Sequence, residues 1–180
     1  MGHAVTEQVR AELVALLPRL RRFAYGLTGS LDEGDDLVQS ACERALTRLD
    51  QFEPGTRLDS WMYRIVQTVW IDRMRARRSR PETAMDSIDI EPLAVGDHAR
   101  EADARLALSG VRRAVSALPA EQREVLLLVC VEGAAYKEAA AILGLPIGTV
   151  MSRLARARLA VGRAIEGVGE TAGATRGVKP

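Results

Sequence analysis

The sequence predicts an all-α protein, two small helical domains joined by a flexible acidic linker. Three observations carry this. Apolar residues recur at three- and four-residue spacing through most of the 180 residues, the period of an amphipathic helix. No alternating, β-branched run bounded by turns argues for a strand. Between two periodic blocks lies SRPETAMDSIDIEPLAVGDH, residues 79–98, with two prolines, one glycine, five acids and no period, the composition of a linker.

In order, helices are expected at 6–28, 32–50 and 57–79, then at 101–117, 120–132, 136–143 and 148–166. The N-terminal block covers 1–80, the acidic linker 81–103 and the C-terminal block 104–167, with a disordered tail over 168–180. In the second helix Val38, Cys42, Ala45, Leu46 and Leu49 make an apolar stripe, and Asp36, Gln39 and Glu43 lie opposite. An acidic, amide-bearing face suits protein docking better than DNA; a solvated face is the plainer alternative. In the third helix Trp61, Met62, Ile65, Val66 and Val69 share one side, and Tyr63, Trp70 and Met74 another, with Gln67 beside them. A helix apolar over so much of its surface is buried or meets a partner. From Arg73 it turns basic, with five arginines in eight residues. Aromatics beside arginines suit phosphates and unpaired bases, although Trp61 and Trp70, each taken alone, read better as core. The preceding QFEPGTRLDSW carries a Pro54-Gly55 turn signal, a loop suited to a pocket for an extruded base.

The net charge of +1 conceals a pattern. Residues 1–80 are net +2, residues 81–103 net −6 and residues 104–180 net +5, and all cations except Lys137 and Lys179 are arginine. Arginine suits bidentate phosphate and base contacts, so a polyanionic partner is expected. No apolar run approaches the roughly 20 residues of a membrane span; no membrane insertion is expected, and cytoplasmic residence is. Cys42 and Cys130 fall at apolar-periodic positions and are expected to be buried. With only two histidines they make no zinc pattern, and no metal or other cofactor is expected.

The stretch LGLPIGTVMSRLARARLAV, residues 143–161, is the most specific signal. With Val150 at zero and about 100° per residue, Leu154, Ala157, Val161 and Ile165 form one buried stripe. Ser152, Ala155, Arg156, Leu159 and Arg163 point the other way. Upstream, Ala139, Ala140 and Leu143 form the inner face of a short helix, and Gly144 stands where a left-handed cap belongs. Small Ala140, Gly144 four later and Val150 six beyond give helix-turn-helix spacing. Met151, Ser152, Ala155 and Arg156 would enter the major groove, while Arg153 and Arg158 flank the stripe within reach of phosphates. A helical hairpin with a solvated basic face is the structural alternative.

Taken together, DDLVQSACERAL, QFEPGTRLDSWMYRIVQTVWIDRMRARR and ALPAEQREVLLLVCVEGAAYKEAAAILGLPIGTVMSRLARAR closely resemble the extracytoplasmic-function (group IV) sigma factors of bacterial RNA polymerase, over residues 10–166. The resemblance implies a promoter-specificity subunit with no catalytic role. Asp35, Asp36, Leu37, Val38 and Gln39 would dock on the clamp helices of the polymerase β′ subunit. Phe52 to Ser60 would form the loop that captures a flipped −10 base. Phe52, Trp61, Arg64, Gln67, Thr68, Asp72, Arg75, Arg77 and Arg78 would read and melt the −10 element of promoter DNA, with Gln67 and Thr68 at discriminating positions. Leu118 to Val131 would meet the β flap, and Met151, Ser152, Arg153, Ala155, Arg156 and Arg158 the −35 element. An anti-sigma factor is the implied inhibitor, and the free chain is expected to be monomeric. Four residues depart from the family pattern. Ser40 replaces a usual Glu, Cys42 an aromatic, Thr68 an Asn and Met151 a Lys or Arg, so clamp contact and the −35 sequence would differ in detail.

Three rivals remain on the sequence. A conventional helix-turn-helix regulator would need a sensor or dimerisation domain, which the first 80 residues do not resemble. A nuclease would need a carboxylate cluster, whereas Asp32, Glu33, Asp35 and Asp36 suit helix capping. A sigma-like decoy without transcription is compatible with Met151 and Thr68.

Overall fold

The computed structural model describes residues 2–53, 55–79 and 100–174, with side chains described for 7–53, 55–79 and 108–166. Every regular element among them is helical. The N-terminal block holds α1 (Gly2–Thr28), α2 (Leu31–Thr47), a 3₁₀ turn (Leu49–Gln51) and α3 (Leu58–Arg78). The C-terminal block holds α4 (Arg100–Ser116), α5 (Ala120–Leu126) running into a π-helical turn (Leu127–Val131), α6 (Tyr136–Leu143) and α7 (Ile147–Ala174). Linker residues 81–99 and tail residues 175–180 lie outside the described residues. Residues 168–174, expected as disordered tail, continue α7.

Sequence periodicity explains the N-terminal bundle. Leu20, Phe23, Ala24 and Leu27 of α1, Leu37, Val38, Ala41 and Ala45 of α2, and Met62, Ile65, Val66 and Val69 of α3 are buried together. Each large side chain so buried contributes about 1.5–3 kcal/mol. Gly29 at φ 78° turns α1 back. Ser30 then caps α2, its Oγ accepting the Glu33 N–H at 3.4 Å, the first half of a capping-box pattern. Gly34 lets the helices meet closely, since a Cβ there would stand 3.1 Å from the Tyr25 backbone nitrogen.

In the C-terminal block Val125, Leu128, Ala139, Ile142, Val150, Leu154 and Ala157 make the buried set. The inner face of α6 is therefore Ala139 and Ile142, with Ala140 and Leu143 only partly buried, because the crossing rotates α6 from its expected face. Ile165 leaves the core and is 43 % exposed, since α7 by then has run past the helices that cover Val150 to Ala157. Cys42 is partly buried as expected, and burial raises its thiol pKa. Cys130 is exposed, because the π turn rotates it off the apolar face.

The two blocks do not stand apart. α1 packs on α4, α5 and the π turn, and α3 packs on α6. Leu127 sits against Gly26, where a Cβ would lie 2.6 and 2.8 Å from its two methyl carbons. Arg123 joins α1 to the α4–α5 corner: it donates to the Leu27 carbonyl at 2.7 Å and to those of Ser116 and Leu118 at 2.5 and 3.0 Å.

Candidate nucleic-acid interface

The outward face of α7 forms as the turn chemistry requires. Gly144 adopts φ 65° and ψ 36° and closes α6, its N–H bonding the Ala140 carbonyl. The Leu145 N–H adds a second bond to that carbonyl at 3.0 Å. Pro146 then accepts from Thr149 and Val150, so α7 starts at a fixed angle. With Val150, Leu154 and Ala157 inward, Met151, Ser152, Ala155 and Arg156 are exposed together. Arg156 folds back on the Ser152 carbonyl at 3.3 Å and remains free to extend. Arg153 is mostly covered and pairs with Glu121 at 2.6 Å. Arg158 is exposed and donates to Cys130 Sγ at 3.5 Å. Of the six residues assigned to the −35 contact, the four groove-facing ones are brought onto one open surface, while Arg153 is occupied within the fold.

The face assigned to the −10 element divides. Arg64, Thr68, Arg75 and Arg78 are exposed along α3. Thr68 Oγ1 donates to the Arg64 carbonyl at 2.8 Å, leaving its lone pairs as outward acceptors. Phe52 packs against Trp61 with centroids 5.3 Å apart, both partly buried, which gives the preceding loop an aromatic floor. Trp70 lies in the core. Asp72 and Arg77 are tied to α2, through Arg44 at 3.0 Å and Glu33 at 2.6 Å. Arg73, not singled out from the sequence, donates to the Asp36 carbonyl at 2.9 Å and Ser40 Oγ at 2.8 Å. Ser40 is thus part of a link between α2 and α3.

Two assignments need correction. Leu37 and Val38 face the core at 0 % and 4 % exposure, since the stripe that holds α2 on α1 claims them. Asp35, Asp36 and Gln39 alone present side chains outward. Gln67 is also buried, against the expectation that it faces DNA. Glu124 of α5 lies beside it, because the C-terminal block lies over this part of α3. Burial raises the Glu124 pKa to about 7, opposed by the Gln67 amide and the charges of Arg153 and Arg123.

Beside Gln67 lies a polar cluster that the sequence did not signal. Glu132, just beyond the π turn, has a fully buried side chain. Arg22 donates to its two oxygens at 2.8 and 3.0 Å, Arg19 at 3.3 Å and the Tyr63 hydroxyl at 2.5 Å. Burial, then the bond to Glu132, raises the Tyr63 pKa, and the bond to Glu132 chiefly raises that of Arg22. Tyr63 also meets Phe23 edge-on, centroids 5.2 Å apart. At the start of α3, Glu138 accepts from Ser60 at 2.7 Å and pairs with Arg57, the residue that precedes the helix, at 3.0 Å.

Comparison with known proteins decides the family. Residues 109–161 match the model for sigma-70, region 4, and residues 13–67 that for the sigma2 domain of PhyR. The chain is 37% identical over 158 residues to the ECF RNA polymerase sigma factor EcfG of Rhodopseudomonas palustris, covering 86% of this chain and 83% of that one. This chain is an extracytoplasmic-function sigma factor. SigW of Bacillus subtilis is 27% identical over 79% of this sigma factor and 81% of its own length. Among solved structures, the sigma factor RpoE of Bartonella quintana, in complex with the anti-sigma factor NepR, superposes with a TM-score of 0.75 at 32% identity, over 89% of this chain and 98% of that one. CnrH, in complex with the cytosolic domain of CnrY, gives 0.66 at 25% identity over 90% of each. Among the described residues no single helix of this sigma factor is long and apolar enough to cross a membrane.

Proposed function

We propose that this sigma factor binds core RNA polymerase through Asp35, Asp36 and Gln39 on the β′ clamp helices and through the α5 region on the β flap. It then directs initiation at promoters by reading a −10 and a −35 element. The observation that carries the reading is the open face of Met151, Ser152, Ala155 and Arg156, set by the left-handed turn at Gly144. Arg156 supplies the polar base contact and Met151 and Ala155 offer apolar contact to thymine methyls. Arg64, Arg75 and Arg78 give sequence-independent phosphate contacts, and Phe52, Trp61 and Thr68 the pocket for an unpaired −10 base. Each half binds DNA weakly alone, and polymerase makes the pair effective by holding both at promoter spacing. RpoE of Bartonella quintana forms a complex with the anti-sigma factor NepR, and we assign this sigma factor an anti-sigma partner on that analogy. A cytoplasmic site of action follows from the same role.

The test is holoenzyme binding to a promoter library. Arg156→Ala is expected to lower discrimination at one −35 position by about 1–3 kcal/mol, while Arg75→Ala with Arg78→Ala weakens all promoters evenly. Equal losses across every promoter for both variants refute the division of labour. A decoy reading draws support from the N-terminal match to the sigma2 domain of PhyR. It gains if the chain captures an anti-sigma factor but yields no promoter-bound holoenzyme.

A further inference from the structure

The basic end of α3 has two faces. At about 100° per residue, Thr68, Arg75 and Arg78 all fall within about 40° of Arg64, whereas Arg73 lies about 180° away and Arg77 about 140°. The first face is open, with Arg64, Thr68, Arg75 and Arg78 exposed. The second turns to α2. Arg73 Nη2 carries two hydrogens and donates to both the Asp36 carbonyl at 2.9 Å and Ser40 Oγ at 2.8 Å. Arg77 pairs with Glu33 at 2.6 Å and Asp72 with Arg44 at 3.0 Å. The three links follow one another along the seam in the order expected of antiparallel helices. Apolar packing does little for this end. Trp70 is the last buried residue of α3, and beyond it Met74 packs on the core only in part.

From this geometry we infer that Arg73 is a positioning residue: through the Asp36 carbonyl and Ser40 it fixes the phosphate-contacting Arg75 and Arg78 relative to the polymerase-docking face of α2. Its own guanidinium is spent on α2 and points away from the DNA face. The exposed pairs Arg77–Glu33 and Arg44–Asp72 hold the seam weakly. Arg73 differs from them, being partly buried and bonded to a main-chain oxygen whose place follows α2 itself. α2 is anchored separately, since Leu37, Val38, Ala41 and Ala45 are buried in the core. Asp35, Asp36 and Gln39 therefore keep their outward positions when Arg73 is removed, and what is lost is the angle of the last two turns of α3. That angle matters only on polymerase. Free DNA can adjust to a displaced Arg75 and Arg78, but DNA whose path is set by the enzyme cannot, and phosphate contacts are what fix its register. The inference rests on the promoter-reading role and assigns the part of the chain that sets this register.

The experiment compares holoenzyme, made from core polymerase and the full chain, on a promoter fragment selected from the library, with the chain alone on the same fragment. Affinity for core and affinity for the promoter are measured separately. Arg73→Met is expected to lower promoter affinity of the holoenzyme about tenfold, with core affinity within about threefold of the parent. Ser40→Ala, which removes one acceptor and no charge, is expected to lower promoter affinity about threefold and to leave DNA binding by the chain alone unchanged. The deciding readout is coupling. Arg78→Ala is expected to cost about tenfold in the parent but under about threefold in the Arg73→Met background, because its contact is already misplaced. A variant that merely folds less well would show the full Arg78 loss in both backgrounds. Multiplicative losses, a core-affinity loss as large as the promoter loss, or a Ser40→Ala holoenzyme indistinguishable from the parent overturns the inference. Should Arg73→Met fail to fold, Ser40→Ala with and without Arg78→Ala decides by the same coupling. A parent holoenzyme that does not bind the promoter sinks the promoter-reading role and this inference with it, whereas variants that match a promoter-bound parent sink the inference alone.

Discussion

Replacing Arg123 by methionine isolates the guanidinium, because the side chain keeps most of its stem and loses every donor. Three backbone carbonyls then lose it: Leu27 at the end of α1, and Ser116 and Leu118 at the α4–α5 corner. A hydrogen bond to a charged group contributes about 1.5–3 kcal/mol, so three amount to roughly 5–9 kcal/mol gross. Against this stands the cost of burying the cation, several kcal/mol. That cost is visible twice: burial lowers the Arg123 pKa, and its buried Nε has no partner. The net expectation is a loss of about 3 kcal/mol in urea unfolding, with a lower midpoint and an unchanged slope. Arg123→Lys is expected to lose nearly as much, since one ammonium cannot reproduce the planar fork. A loss under about 1 kcal/mol, or a gain, would show that desolvation cancels the bonds and that Arg123 does not hold the corner.

Gly144→Ala meets no steric obstacle, nothing lying within 4 Å of its Cβ position, but must hold φ near 65°; a loss of about 1–2 kcal/mol in thermal unfolding is expected, together with weaker −35 binding as α7 shifts. Leu154→Ala, at a site 2 % exposed in the C-terminal core, is expected to cost about 3 kcal/mol in urea. Glu124 sets a pH dependence. Its folded pKa of about 7 lies above the ordinary 4.5, so the folded chain holds the extra proton between those values. The contribution is fully present below pH 4.5 and is lost as pH rises through 7, amounting to about 3 kcal/mol at most. Stability of the parent is expected to fall from pH 5 to 8 more steeply than that of Glu124→Gln, and parallel curves would refute the assignment.

The parts of this sigma factor legible in sequence are those fixed by local periodicity and turn chemistry. The Val150, Leu154 and Ala157 stripe, the left-handed Gly144 and the exposed Arg156 all follow from residues within a few positions of one another. The misplacements share a physical cause. Leu37 and Val38 lie on a helix with one outward face, but their docking role came from resemblance, while the apolar stripe read from the sequence already held Val38 and left out Leu37, which packs beside it. Gln67 sits at the edge of an apolar face, and whether that edge is open depends on a segment more than fifty residues away. Glu132, Glu138 and Arg123 carry no local signature at all. A glutamate or arginine in a helical block reads as solvated until the fold brings its partners from the other block. The π turn, a single extra residue inside an apolar run, leaves the periodicity intact and moves Cys130 outward and Glu132 inward together.

The central claim is best tested by transcript synthesis from purified components: this chain, core RNA polymerase and a pool of promoter templates, with no other sigma factor or inhibitor present. Transcripts are expected to start from a restricted subset of templates sharing two conserved blocks at one spacing, and to depend on the added chain. Stable association with core polymerase that yields no start sites above those of core alone would contradict it.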